Sequence, residues 1–373
     1  MIAIQDKELK MLDRATAEFA RKALTRDRTE NDQYPFAPFF SSVLQKAFGI
    51  DLFHATLPES LGGIGSNISS LCIILDNICQ EDSSLGGLIF THTAAQEIML
   101  LAREAEKLGD IVQTDDVEDF LIAFPSYNNP SEIRPRTSAV EKNGSYRISG
   151  PLEYLVAGNL ANHALIPAII DEQENYSFFL IPLSQAQVVR SEPILSLGLR
   201  ACPAVDIEMN QAEGKLIGKS GKGHTYFQKM SDTLQVAAAA MSAGIMKGSF
   251  REALDYSKTR PQGGKKIVNW SALQMILADM AVKINIADMS VSRACQSIEA
   301  KEPGWAEASH AAGIHVQAAA CDLTSDGIQA LGGVGYMKDF GQEKRFRDAK
   351  QVQALLGLAP MKKIRFIRRI IGR

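Results

Sequence analysis

The sequence predicts an α+β fold that is mainly α, with an N-terminal helical domain, a small middle β domain and a C-terminal helix bundle. Three observations lead to this fold class. The chain has 373 residues, which is too many for one small core. Hydrophobic residues make up 46% of it and aromatic residues only 7%, which favours helix packing over an all-β protein. The hydrophobic period changes twice along the chain, which places the predicted domains at residues 1–118, 119–222 and 223–373.

The N-terminal domain is predicted to be helical because its apolar residues recur every three or four positions. Proline and glycine interrupt this pattern in the run 57–65, which reads Leu-Pro-Glu-Ser-Leu-Gly-Gly-Ile-Gly and predicts a turn. The predicted helices are Leu12–Leu24, Ser41–Phe48, Ile68–Cys79 and His92–Leu108.

The middle domain is predicted to be a small β-barrel or sandwich. Its apolar runs are short or alternate with polar residues, and turn residues such as those of 142–145 separate them. The predicted strands are Leu121–Phe124, Tyr146–Ser149, Ala164–Ile170, Ser177–Leu183 and Val205–Met209.

Long helical patterns return in the C-terminal domain, and Pro261–Gly264 and Leu331–Tyr336 interrupt them. The last thirteen residues, Met361–Arg373, are strongly basic. We expect them to form a helix in which Ile and Phe alternate with solvated Lys and Arg. The predicted helices of this domain are Asp232–Arg260, Ser271–Ala300, Trp305–Ala330 and Pro360–Ile371.

Composition excludes several classes of function. A net charge of −3 and a pI near 6.1 give no overall attraction to nucleic acid. No apolar run approaches the length of a membrane-spanning helix. Five scattered cysteines without a C-x-x-C pair predict buried, reduced thiols and a cytoplasmic location, and no Cys/His spacing predicts a metal site.

Several motifs in this order resemble the acyl-CoA dehydrogenase family. The run 57–65 resembles its "P-E-x-x-G-G-x-G", and Ala278–Met280 matches its "A-D-M". The most specific match is Asp326–Lys350, which follows "Q-x-x-G-G-x-G-Y … E-R-x-x-R-D-A-K" almost without a gap. The resemblance covers most of the chain and implies a C-terminal four-helix bundle, FAD as cofactor and an acyl-CoA-type substrate.

The resemblance assigns cofactor contacts to two parts of the chain. Arg260 stands where the family places an arginine on the FAD diphosphate, and a guanidinium suits phosphate oxygens. Gln329, Gly332 and Gly333 stand where the family contacts the FAD of a neighbouring subunit. From the residues alone, Arg260 could equally be an exposed helix-end cation, and the glycines a helix C-cap followed by a turn.

The strand that lies behind the flavin in the family carries "W-I-T". Here it reads Tyr154-Leu155-Val156, so the resemblance assigns Tyr154 and Val156 to the cofactor. The preceding loop, "L-T-E-P-x-A-G-S-D" in the family, wraps flavin and substrate. In this chain its place is taken by residues 123–131, which share little with that motif.

The catalytic glutamate of the family is missing. Leu356 stands at its usual position, and Leu234 stands at the alternative position on the first bundle helix. Leucine cannot accept the α-proton of a thioester. Catalytic candidates from the sequence are Asp232 and Tyr127, and substrate-binding candidates are Asp232 and Gln235. A helix cap, a core tyrosine and a solvated side chain are the structural alternatives for these three residues.

Three interpretations follow. The chain is a FAD enzyme acting on the CH–CH group of a CoA thioester with a non-standard active site, or a catalytically degenerate subunit that pairs with an active paralogue, or a flavin-free scaffold. An electron-transfer flavoprotein is a candidate partner for the first two. The retained Arg260 and Gln329-x-x-Gly332-Gly333 favour the first two over the third, because a scaffold has no need for an anion site. The resemblance also implies a homo- or heterotetramer.

Overall fold

The computed structural model describes residues 7–24, 32–33, 40–142, 144–171 and 173–372. The first described part of the chain is helical, as the sequence predicted. Three of its helices have side-chain N-caps, since Asn67 accepts from the Ser70 amide, Asp82 from the Ser84 amide and Asp116 from the Glu118 amide. The helices are α1 (Lys7–Leu24), α2 (Phe40–Phe48), α3 (Ile68–Cys79), α4 (Ser83–Leu101), α5 (Ala105–Val112) and α6 (Val117–Phe120).

The prediction of one continuous helix from His92 to Leu108 is wrong. Helix α4 begins earlier, at Ser83, and ends at Leu101. Arg103 then adopts a left-handed backbone conformation with φ 64°, which breaks the helical path before α5 starts. The apolar spacing continues across this break because both helices pack on the same core.

The middle domain is one seven-stranded sheet in which β4, β2, β3, β7 and β5 form a closed ring, because β5 also pairs with β4, and β1 pairs with β4 beside the ring. This closure makes it a small barrel, with β6 attached to the outside of β7. The apolar residues of β4 and β5 are almost all buried, as their continuous apolar runs predicted. The strands are β1 (Ile122–Ala123), β2 (Ser138–Lys142), β3 (Ser145–Val156), β4 (His163–Ile170), β5 (Tyr176–Pro182), β6 (Val188–Arg190) and β7 (Ala204–Ile217).

The C-terminal domain is a helix bundle built around a 37-residue helix that starts nine residues before its predicted beginning. Its alanine-rich centre is buried, which lets neighbouring helices approach closely. A two-stranded hairpin, β8 (Pro261–Gln262) with β9 (Lys265–Lys266), follows it. The helices are α7 (Gly223–Thr259), α8 (Ser271–Glu299), α9 (Trp305–Leu331), α10 (Gln342–Gln353) and α11 (Ala359–Ile370).

Ion pairs of its Arg-x-Arg-Asp run hold helix α10 in place. Arg347 pairs with Asp32 at 2.5 Å. Asp348 pairs with Lys344 at 2.7 Å, and Asp348 also accepts the Leu199 amide at 2.8 Å. These contacts fix the end of α10 against the N-terminal and β domains.

The expectation of solvated cations on the terminal helix is wrong for its inner face. Lys362 is only 1% exposed, and Arg369 reaches Asp232 at 2.6 Å. The isoleucines of α11 instead point outward, with Ile367 50% and Ile370 56% exposed. The bundle therefore takes charged side chains from α11 and leaves an apolar stripe outside.

The predictions for the cysteines, for metal sites and for membrane-spanning helices can be compared with the structure. All five cysteines are free and buried, as expected. Within the described ranges, no group of His, Cys, Asp and Glu could hold a metal ion. Across the same ranges, no helix combines the length and apolarity needed to cross a bilayer.

Candidate functional site

The position of the missing base lies in a loop after α10. Leu356 is fully buried and adopts a left-handed conformation with φ 61°. Its amide donates to the Ser126 carbonyl oxygen at 2.8 Å, which joins this loop directly to the segment after β1. Leu355 beside it is also buried, and Gly357 follows with φ 116°. The loop itself, residues 354–358, contains no acidic side chain.

The alternative position on α7 is apolar and enclosed as well. Leu234 is 2% exposed, and Gln235 beside it is fully buried. Gln235 donates to the Ser231 hydroxyl at 3.3 Å. A Cβ on Gly313 of α9 would lie 2.8 Å from the Gln235 Oε1 atom, so the two helices meet at this glutamine. Gln235 therefore lies in a helix–helix contact, and the expectation of a solvated side chain is wrong.

Asp232 carries charge inside the bundle. Its Oδ1 atom accepts from His310 at 2.8 Å, from Gln228 at 2.7 Å and from Arg369 at 2.6 Å. Burial alone would raise the pKa of Asp232, but the hydrogen bond from His310 and the charge of Arg369 outweigh it, so its pKa lies below the ordinary value. A carboxylate stabilised in this way is a weak base, and none of these partners belongs to the loop around Leu356.

The residues assigned to the flavin ring make contacts within the chain. Val156 is fully buried, and its backbone exchanges two hydrogen bonds with Phe124 at 3.2 Å. Tyr154 has φ 59°, and its hydroxyl oxygen accepts from Gln351 of α10 at 2.9 Å. The Tyr127 ring meets the Tyr154 ring edge-to-face at 5.2 Å. Burial raises the pKa of the Tyr127 hydroxyl well above its usual range, which makes this group a poor proton acceptor or donor at neutral pH.

Arg260, assigned to the FAD diphosphate, is exposed, and so are the three residues assigned to the FAD of a neighbouring subunit. Arg260 ends α7 and is exposed, and its guanidinium has no hydrogen-bond or ion-pair partner within the described part of the chain. Gln329, Gly332 and Gly333 are exposed at the end of α9. A Cβ added to either glycine would meet no atom within 4 Å, so packing within this chain does not require their small size.

One acidic residue that sequence reasoning missed contacts the loop of Leu356. The Glu132 side chain is 7% exposed and pairs with Arg365 of α11. One of its oxygens accepts the Leu358 amide at 3.4 Å and the other accepts from Asn129 at 3.3 Å. A Cβ on Gly357 would lie 3.0 Å from this carboxylate. No local signal could have found this role of Glu132, because Leu358 and Arg365 lie more than 200 residues away in the sequence.

The comparisons with known proteins agree with this architecture. A family profile described as "Acyl-CoA dehydrogenase, C-terminal domain" matches residues 221–370, and one described as "Acyl-CoA dehydrogenase, N-terminal domain" matches residues 6–108.

The chain belongs to the acyl-CoA dehydrogenase family.

Relatives in this family are similar over nearly the whole chain. Cyclohex-1-ene-1-carbonyl-CoA dehydrogenase of Syntrophus aciditrophicus is 24% identical, covering 94% of this chain and 87% of that protein. The caffeyl-CoA reductase–Etf complex subunit CarC of Acetobacterium woodii is 25% identical, and the match covers 91% of this chain and 92% of that protein. The structure of butyryl-CoA dehydrogenase from Megasphaera elsdenii has a TM-score of 0.88 at 19% identity and full coverage of both chains, which shows the shared fold.

The family implies FAD, and the two ends of the expected site differ in how well they fit it. At the diphosphate end, the exposed Arg260 and the unobstructed glycines suit a phosphate group approaching from outside the chain. At the ring end, Tyr127, Tyr154 and Leu356 pack on protein atoms, and Val156 presents no polar side-chain atom to a ring. The diphosphate end fits FAD, whereas the ring end does not.

Proposed function

We propose that this chain is a non-catalytic flavoprotein subunit of the acyl-CoA dehydrogenase family. It contributes a diphosphate site to FAD at a subunit interface and pairs with a catalytic member of the family. The observation that carries the proposal is the contrast between the two ends of the expected site. The open end keeps Arg260 and the glycines, and the closed end has leucine at both positions where the family places its base.

The diphosphate end uses ordinary anion chemistry. A guanidinium can donate two parallel hydrogen bonds to phosphate oxygens, and these charge-assisted bonds are about twice as strong as neutral ones. Glycines let the backbone approach the phosphates without side-chain interference. Gln329 lies three residues before Gly332, at the exposed C-terminal end of α9. Because all four residues face outward, we propose that the FAD they contact is shared with a second subunit.

The closed end explains why the chain would not catalyse the family reaction. When bound, FAD accepts the hydride that leaves the β-carbon of a thioester. The α-proton must go to a positioned base, and loss of such a base costs roughly 10²–10⁴-fold in rate. Leu356 and Leu234 cannot take that proton, and Asp232 is stabilised as an anion by Arg369 and His310.

The electron partner is part of the same proposal. One relative is by name a subunit of a complex with Etf. We propose that the oligomer containing this chain passes electrons to a flavoprotein of that kind. The CoA thioester is then handled by the paired catalytic subunit.

The test is flavin content and reduction with and without a related subunit. The chain is purified alone and co-expressed with a family member that has the glutamate, and both are mixed anaerobically with butyryl-, octanoyl- and branched acyl-CoAs. We expect flavin bleaching at a family-typical rate only in the mixed oligomer. Arg260→Ala in this chain should reduce the flavin bound by that oligomer, and Lys266→Ala, which changes an exposed cation on the neighbouring strand, should not. Rapid bleaching of the chain alone would contradict the proposal.

A catalytic enzyme with a relocated base is the second candidate, and Glu132 favours it. Its carboxylate touches the loop of Leu356 from the opposite segment. Its pairing with Arg365 stabilises the anion and so weakens it as a base. If this candidate is correct, the chain alone should bleach slowly with an acyl-CoA and Glu132→Gln should abolish the bleaching. Glu153→Gln, in an exposed side chain of the same domain, is the control.

A further inference from the structure

We infer that residues 124–132 form a plug that fills this chain's own pocket for the flavin ring, so that the chain binds the diphosphate end of FAD without binding its ring. The inference rests on the proposed function. The plug is defined by three attachments, at Ser126, Tyr127 and Glu132, and each joins the segment to a different element of the fold.

The first attachment is at the position of the missing base. The Ser126 carbonyl oxygen accepts the Leu356 amide at 2.8 Å. The Ser126 hydroxyl lies 2.9 Å from the Thr91 hydroxyl of α4, and Ser126 is fully buried. The backbone amide at the base position is therefore hydrogen-bonded to the plug segment itself.

The second attachment lies against the strand that would support the ring. Tyr127 packs edge-on against Tyr154, with ring centroids 5.2 Å apart and planes at 87°. Tyr154 is fixed from the other side by Gln351 of α10, which donates to its hydroxyl oxygen. An aromatic side chain of the protein thus packs against Tyr154, where a flavin ring would need an aromatic or apolar surface.

The third attachment closes the outer end of the segment. Glu132 pairs with Arg365 and accepts the Leu358 amide at 3.4 Å. Asn129 supports the turn that presents this carboxylate, because its side chain accepts the Ser131 amide at 2.9 Å and its amide donates to Glu132 at 3.3 Å. The plug is therefore tied to α11 as well as to α4 and α10.

The consequence can be measured by comparing the affinities of two ligands that share a diphosphate. ADP carries the adenosine and diphosphate of FAD but has no ring. A ring held in a dedicated pocket buries on the order of 200 Å² of largely apolar surface, which makes FAD at least about 100-fold tighter than ADP. If the plug fills the pocket, the ring adds nothing and the two ligands bind this chain within about threefold of each other.

The experiment titrates the purified full-length chain with ADP and with FAD by calorimetry, and follows flavin fluorescence with iodide as a quencher. We expect similar affinities for the two ligands, and a bound flavin that iodide still reaches. Tyr127→Ala should open the pocket, tighten FAD at least about tenfold and leave ADP unchanged. The matched control is Tyr146→Ala, which removes a β-domain tyrosine that packs on Phe179 instead.

The outcomes separate the inference from the proposed function. FAD binding at least tenfold tighter than ADP in the unmodified chain, with a ring shielded from iodide, would overturn the plug and leave the diphosphate site standing. Absence of binding by both ligands, alone and in the mixed oligomer, would overturn the proposed function itself. If Tyr127→Ala misfolds, Glu132→Gln provides the second test, because it releases the outer end of the plug without removing a ring.

Discussion

The buried amine of Lys362 should make the stability of this protein depend on pH. Lys362 is 1% exposed, and its Nζ atom donates to the Gln317 side chain at 3.1 Å and to the Gln353 carbonyl oxygen at 3.0 Å. No carboxylate is among these partners. Burial lowers the pKa of this amine from 10.5 to about 7. Charge in this position is therefore costly for the folded state.

The sign of the effect follows from the two pKa values. Below pH 7 the amine is protonated in the folded and unfolded chains, and the folded state carries the full cost of a buried charge. Between about pH 7 and 10.5 only the unfolded chain retains the proton, so stability rises with pH. Each tenfold difference in proton affinity corresponds to about 1.4 kcal/mol, so the whole effect is at most about 5 kcal/mol.

Lys362→Met tests this reasoning. The substitution removes the cost of the charge and leaves two buried acceptors unsatisfied, at about 1–3 kcal/mol each. We expect the stability of the variant relative to the parent chain to fall by about 4 kcal/mol between pH 6 and pH 10, because only the parent gains stability over that interval. Urea unfolding at pH 6, 8 and 10 and one protein concentration measures the difference. Lys363→Met, in the exposed neighbouring lysine, should stay within about 0.5 kcal/mol at each pH. A difference for Lys362→Met that does not change with pH would refute the argument.

Three further predictions concern the cofactor, the bundle core and the assembly. Arg260→Ala should weaken FAD binding about 10–100-fold by loss of a charge-assisted contact of about 1.5–3 kcal/mol, and titration by flavin fluorescence measures it. Asp232→Asn should lower the free energy of unfolding by about 2 kcal/mol at pH 7. Denaturation at several pH values should show this difference becoming smaller below about pH 4, where the carboxyl group of the unfolded chain is protonated. Light scattering should give a mass above the 40.7 kDa of one chain. Met289 lies in an exposed apolar stripe of α8 together with Met275 and Val282, so Met289→Glu should reduce this mass.

Local signals were enough for the order of the elements. The three-and-four spacing of apolar residues located α2, α3, α8, α9 and α11 to within one residue at each end, and short apolar runs located β1, β4 and β5 equally well. Boundaries were less certain where packing overrides spacing. The break after Leu101 depends on one left-handed residue, Arg103, and the early start of α7 depends on residues without a clear apolar period.

The cofactor and base positions carried over from the family stay predictions. Leucine at 356 and 234 follows from the register of the motif, and the exposure of Arg260 and Gly332 agrees with a cofactor approaching from outside. The sequence alone does not decide the roles of Asp232 and Tyr127. The structure shows Asp232 bound by three donors and Tyr127 packed on Tyr154, so each has a structural role in this chain.

What the sequence determined by itself is the family and the three-part architecture, because each rests on residue identity or on a period within one segment. What only the tertiary structure decided is how the site closes. Ser126 meets Leu356, and Glu132 meets Arg365, across more than 200 residues of chain. Such pairs form when the β domain packs against the bundle, and packing between domains leaves no periodic trace in either segment. For the same reason the cations of the last helix turned inward, since their partners lie on α7 and in the β domain and not on the helix itself.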